Sequence, residues 1–143
     1  MPEDQKKTYI GVKRIEAYPE DRDGKPGYAV IYPDGYKSWS PKDVFEAAYF
    51  PIEKANSLTP NDIDNMLDAG KVFITTIGEK TTLVHVVLPT GFEMVEASAC
   101  VDPRNYSEEY GAEICMEKVR DRLWDLMGFV LQWAHKGLKA KGE

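Results

Sequence analysis

Between residues 9 and 17, Tyr9, Ile10, Val12, Ile15 and Ala17 interrupt a charged run, and residues 28–32 read YAVIY. Both segments are predicted strands, because β-branched and aromatic side chains pack well on a pleated surface. The intervening EDRDGKPG is too charged and too rich in Gly and Pro to be anything but a loop or a hairpin connection. Pro33, Asp34 and Gly35 form the next predicted turn, after which residues 36–39 return as a short third strand. A helix is then predicted to start at Ser40, whose hydroxyl would cap the first free amides. Pro41 takes its first position, and Asp43 lies against the positive end of the helix dipole. Val44, Phe45, Ala48 and Tyr49 give this helix one apolar face, and Pro51 stops it.

Residues 52–58 read as a linker. Thr59, Pro60, Asn61 and Asp62 repeat the capping pattern, Ile63, Met66 and Leu67 share a helical face, and Gly70 is placed to end the helix. Three strand-like runs follow at 71–77, 81–88 and 92–101, separated by Gly78-Glu79 and by Pro89-Thr90-Gly91. Val84, Val86 and Leu88 share one face of the middle strand, and Val95, Ala97, Ala99 and Val101 share one face of the last. A long helix is predicted from about 107 to 134, with Glu108 and Glu109 in its first turn. Ala112, Cys115, Met116, Val119, Leu123, Leu126, Met127, Val130 and Leu131 recur at the three-four spacing of one buried stripe. Phe129 and Trp133 lie outside that stripe, and a single small sheet offers only one packing surface. A homo-oligomer, a dimer or higher, is therefore expected, with the second half of this helix at the contact.

The pattern predicts an α+β protein made of two small antiparallel β meanders with short helices and one long C-terminal helix. An N-terminal module spans 1–52 and a C-terminal sheet and helix span 59–137, read together as one compact unit. At 143 residues, 43% hydrophobic and 29% charged, the chain can bury a core without disulfides or metal. A net charge of -6 argues against binding polymeric nucleic acid, so any anion site must be local. Cys100 and Cys115 lack metal-ligand spacing and read as buried, reduced thiols, which suits a cytoplasmic location. Residues 1–8 are polar, and no run approaches the ~18 apolar residues that a membrane span needs, so no membrane role is expected.

His85 and His135 are the only histidines, read as a strand residue and a frayed helix end, and no metal site or cofactor is implied. No nucleophile elbow, phosphate-binding glycine loop or HExxH is present, so binding is favoured over catalysis and no general base is nominated. The most site-like stretch is SACVDPRNY, which joins a strand end to a helix start. Its free amides with Arg104, Asn105 and Tyr106 could hold a phosphate and a base; the plainer alternative is a loop that only caps the helix. Lys118, Arg120 and Arg122 form a second cluster, with Lys118 and Arg122 on one face. Such a cluster is either a solvated face balanced by Glu117, Asp121 and Asp125 or, beside a second chain, a pyrophosphate clamp. The N-terminal aromatics Tyr28, Tyr32, Tyr36, Trp39, Phe45, Tyr49 and Phe50 read mostly as core, with a base-stacking platform as the alternative.

Three strings, LPTGF (88–92), SACVDPRNY (98–106) and RDRLWDLMGFVLQ (120–132), resemble a small phage family first named from hypothetical early proteins of podophages. The likeness covers about half of the chain; where family members commonly have Asn before the Gly-Phe, this chain has Thr90. The N-terminal strings YIGVKRIEAYP and GYAVIYPDGYKSWSPKDVFEAAY are similar to a module that precedes several small phage domains, which implies an accessory role. The family includes Thoeris anti-defence sponges, which sequester glycocyclic ADP-ribose, and in some members cyclic oligonucleotides, without cleaving it. The resemblance thus implies a small nucleotide signal as ligand, an oligomer with pockets at subunit contacts, and action in the host cytoplasm. It carries over Asn105 and Arg122 as ligand contacts. In the resulting picture Arg120 or Arg122 pairs with phosphate, Asn105 reads ribose or base edges, and Phe92 or Tyr106 stacks. The rival expectation is a protein-interaction module with no small ligand.

Overall fold

In the computed structural model, which describes residues 3–139, the charged EDRDGKPG segment closes a hairpin between β1 (Glu16–Pro19) and β2 (Gly27–Ile31). Arg22 and Lys25 exchange backbone hydrogen bonds of 2.9 and 2.8 Å across its tip. Asp23 and Gly24 between them have φ of 50° and 75°, the pair of positive angles that a two-residue turn needs to match strand twist. At the next turn Gly35 takes φ 88° and the Asp34 carboxylate accepts from the Tyr36 N–H at 2.9 Å. The chain then enters β3 (Lys37–Pro41), giving an antiparallel sheet of order β1-β2-β3, and α1 (Lys42–Ala48) follows directly.

Three expectations fail here. Of the strand predicted over 9–17 only Glu16 and Ala17 pair. Glu16 already faces Ile31, the last residue of β2, so earlier residues have only the 33–35 turn to meet, and Tyr9 and Ile10 stay 83% and 79% exposed. Nor does Ser40 cap α1: Ser40 and Pro41 are paired with Tyr28 and Gly27 in the sheet, and the helix starts without a side-chain cap. Contrary to the core reading, none of the N-terminal aromatics is fully buried; most are half-buried and pack on one another or on the sheet. Tyr28 stacks on Phe45 at 4.1 Å, Phe45 meets Tyr49 at 5.0 Å, and the Tyr28 hydroxyl donates to Glu46 at 2.7 Å. Trp39 lies over Gly27 so closely that a Cβ there would sit 2.3 Å from the indole. Tyr36 and Phe50 are exposed, at 64% and 36%.

The chain divides into two units, Met1–Pro51 with Val130–Glu143, and Ile52–Phe129. The second unit opens on α2 (Pro60–Asp68), where the Thr59 hydroxyl accepts from the Asp62 N–H and the Asp62 carboxylate accepts from the Thr59 N–H, a reciprocal cap. β4 (Lys71–Ile77), β5 (Thr81–Val87) and β6 (Glu93–Ala99) form an antiparallel sheet in that order, with Ile74 opposite Val84 and Val84 opposite Glu96. α3 (Glu108–Lys136) runs long, as expected. Ile63 and Leu67 of α2, Val84, Val86, Leu88 and Met94 of the sheet region, and Ala112, Cys115, Val119 and Leu123 of α3 make one buried cluster. Removing each larger aliphatic side chain from water contributes about 1.5–3 kcal/mol, which is why the stripe on α3 holds the helix to this sheet.

The face shared by Val95, Ala97 and Ala99 is turned away from this core, with Val95 52% exposed, and Met94 is the β6 residue that enters it. Val101 lies beyond the strand and is 93% exposed. Leu126 and Val130 likewise stand half-exposed where the α3 stripe was expected to be buried, and Phe129 is 68% exposed. Cys115 is fully buried but Cys100 is only half-buried; both thiols are free.

Candidate functional site

The segment from Cys100 to Ser107 is tied down at almost every residue. Its first amide donates to Lys80 O at 3.1 Å, the Lys80 ammonium donates to Val101 O at 3.1 Å, and the Cys100 thiol donates to Asp102 O at 3.2 Å. Asp102 caps a short 3-10 turn at Pro103–Asn105. Its carboxylate accepts from the Arg104 N–H at 2.9 Å, from Arg104 Nη2 at 2.7 Å and from Arg104 Nε at 3.1 and 3.2 Å. The fork of bonds from the Arg104 guanidinium, and then its backbone N–H, hold the Asp102 carboxyl below its usual range, and Asp102 in turn raises Arg104. The Arg104 side chain remains 88% exposed, and Asp102 engages its Nε and Nη2 atoms. Asn105 is exposed beside it, and its backbone N–H is spent on Asp102 O at 2.9 Å.

Tyr106 is placed differently. Its hydroxyl is hydrogen-bonded to Thr82 at 2.8 Å and to Thr76 at 2.7 Å, and the ring is half-buried, so it ties the loop to β4 and β5. Phe92 is 49% exposed in the turn before β6, whereas Arg104 follows that strand. Seven strand residues at ~3.3 Å each separate the two by roughly 20 Å within one chain. The arginines of α3 diverge as their spacing predicts. Arg122 pairs with Glu96 of β6 at 3.0 Å and Lys118 donates to Ala97 O at 3.1 Å on the same side, while Arg120 turns to Asp64 of α2. Their acid partners come from other elements, not from Glu117, Asp121 or Asp125 on their own helix. One chain therefore brings Arg104, Asn105 and Tyr106 together and leaves Phe92, Arg120 and Arg122 elsewhere.

Neither histidine stands alone. His85 lies 2.6 Å from Glu93 across neighbouring strands and its ring is 5.7 Å from Phe73; His135 is no loose end, since its Nδ1 meets the Arg14 guanidinium. Among the described residues no cluster of three metal-binding side chains occurs, and no described helix is long and apolar enough to cross a membrane.

Sequence reasoning missed the concavity between β4 and α3. Ile74, Ala112 and Met116 floor a groove of about 430 Å³, rimmed by Glu108, Glu109 and Glu113. The signal that could have found it is the uncharged strand VFITTI beside a helix start with three glutamates in six residues.

Residues 58–134 match the profile of a family described as phage protein (N4 Gp49/phage Sf6 gene 66). No curated protein and no solved structure matches the chain.

Proposed function

Because the chain belongs to the phage protein family of N4 Gp49 and phage Sf6 gene 66, we propose that it binds a cyclic nucleotide-type immune signal and withholds it, uncleaved, from the host's antiviral defence. The observation that supports this reading best is the Arg104–Asn105 shelf. A guanidinium already hydrogen-bonded to Asp102 through Nε and Nη2 loses less freedom when it meets a phosphate, and Asn105 beside it offers both a donor and an acceptor to a ribose or base edge. The match spans this loop and all of α3 through Arg122, so the residues proposed to hold ligand fall inside the family region.

A closed pocket in this reading needs a second copy. Phe92 stands at the far end of β6 from the shelf, and Arg120 and Arg122 are each engaged by a carboxylate, so one chain alone offers a surface and not an enclosure. Apposed copies bring one chain's shelf against another chain's helix or Phe92-bearing turn. The N-terminal unit then acts as an accessory, and the site of action is the host cytoplasm.

Glycocyclic ADP-ribose mixed with the purified protein is expected to vanish from the filtrate and to return intact after the protein is heated. Binding to the folded state alone also raises Tm, by an amount that grows with ligand concentration. Arg104→Ala and Asn105→Ala should each abolish the depletion. Return of a cleaved product would overturn sequestration, and unchanged free ligand would overturn binding.

A further inference from the structure

The two edges of the second sheet are treated very differently. At β6 the Lys118 ammonium covers Ala97 O and the Arg122–Glu96 pair stands beside it, so charge guards the edge against another strand. At β4 no described side chain is bonded to the outer backbone groups, and residues 72–77 contain no charge, no Pro and no Gly. Every residue of β4 is exposed, with Val72 and Ile74 at 41% and 46% on the helix side and Phe73 and Ile77 at 53% and 51% on the other. Beyond Lys71 at its start, β4 is an uncharged run of six residues with an open hydrogen-bonding edge, a template for one more strand.

The groove says which kind of strand. An added strand would send alternate side chains under α3, onto the floor made by Ile74, Ala112 and Met116 and past the rim of Glu108, Glu109 and Glu113. Glu108 and Glu109 suit a helix N-terminus, and Glu108 accepts from the Thr76 hydroxyl. Glu109 and Glu113 have no cationic partner among the described residues, and no Lys or Arg lines the groove. A second copy of β4 paired about a two-fold axis would bring two such acidic rims towards each other. A strand that alternates apolar with basic residues satisfies the backbone, the floor and the rim together.

We infer that the β4 edge is a strand-addition site for an extended, alternately basic and apolar segment of a partner protein. This site is separate from the Arg104 shelf and stands or falls independently of the ligand reading. The test uses the full chain and fluorescently labelled synthetic peptides of eight residues: alternating Lys and Val, the same residues in two blocks, and alternating Glu and Val. The alternating basic peptide should bind, more weakly as salt rises, and the block and acidic peptides should not. Glu109→Lys with Glu113→Lys, both on the exposed helix surface, should weaken the basic peptide by roughly tenfold and admit the acidic one. Ile74→Arg should abolish binding while circular dichroism stays unchanged. Equal binding of all three peptides, or of none, overturns the inference. So does a concentration-dependent dimer of the chain alone that Ile74→Arg dissolves, because the edge would then belong to a second copy.

Discussion

At Gly111 α3 lies so near the sheet that a Cβ there would lie 2.1 Å from Thr82 Oγ1, and Thr82 is fully buried with its hydroxyl committed to Tyr106. A side chain that cannot swing away must push the helix off. Gly111→Ala is therefore expected to cost about 1–3 kcal/mol, despite alanine's better helix propensity, and calorimetry reads the loss as a lower Tm. An unchanged or raised Tm would show that the helix slides freely over β5. The Asp102–Arg104 fork gives a pH signature. A carboxyl whose pKa is lowered in the folded state contributes stability above its unfolded value and loses it as pH falls through the folded one. Asp102→Asn should therefore lower Tm at neutral pH, and the gap to the parent protein should close below about pH 4. A gap that is constant with pH would mean that Asp102 acts only as a neutral cap.

The N-terminus of α2 depends on one buried carboxylate, for Asp62 accepts from the Thr59 N–H at 2.9 Å and from the Glu53 N–H at 3.0 Å. Asp62→Ala removes the cap and strands two amides, so a loss of about 2 kcal/mol is expected in urea unfolding, with Asp62→Asn recovering part of it. A loss within a few tenths of a kcal/mol would show that water replaces the carboxylate. This helix start was readable from four consecutive residues because the reciprocal Thr59–Asp62 cap is local, whereas the bond from the Glu53 N–H, nine residues away, was not. The turn at Pro33-Asp34-Gly35 was readable for the same reason, and the EDRDGKPG segment was readable as a connection although its Asp23-Gly24 tip was not named. Alternation alone was less informative. It grouped Val95, Ala97 and Ala99 correctly on one face but did not say which face meets the helix. Met94, Glu96 and Ser98 face it instead: Met94 is buried in the core and Glu96 pairs with Arg122 of the helix. Tyr9 to Ile15 had strand-like spacing and no strand to pair with. Arg104, Asn105 and Tyr106 fall together because they are contiguous in sequence, but the partners of Arg120 and Arg122 lie on α2 and β6, and no spacing rule along α3 names them.

α3 belongs to both units, supplying Ala112, Cys115, Val119 and Leu123 to the second core and, from Val130, part of the first. Helix formation is cooperative along its length, so a helix shared by both units can couple their unfolding. Leu123 is 1% exposed, and Leu123→Ala deletes buried methyls from a core with few residues to collapse into the gap, for a cost of about 2–5 kcal/mol. Trp39 reports on the first unit, far along the sequence from the substitution, and its indole N–H donates to Glu20 O at 2.7 Å. If helix continuity makes the molecule one cooperative system, Leu123→Ala lowers the Trp39 fluorescence midpoint by as much as the far-UV dichroism midpoint, measured in a variant that keeps Trp39 and replaces Trp124 and Trp133 with Phe. A Trp39 transition left in place while dichroism shifts would show two independent foldings on one chain, and would confine the effect of any ligand at Arg104 to the second unit.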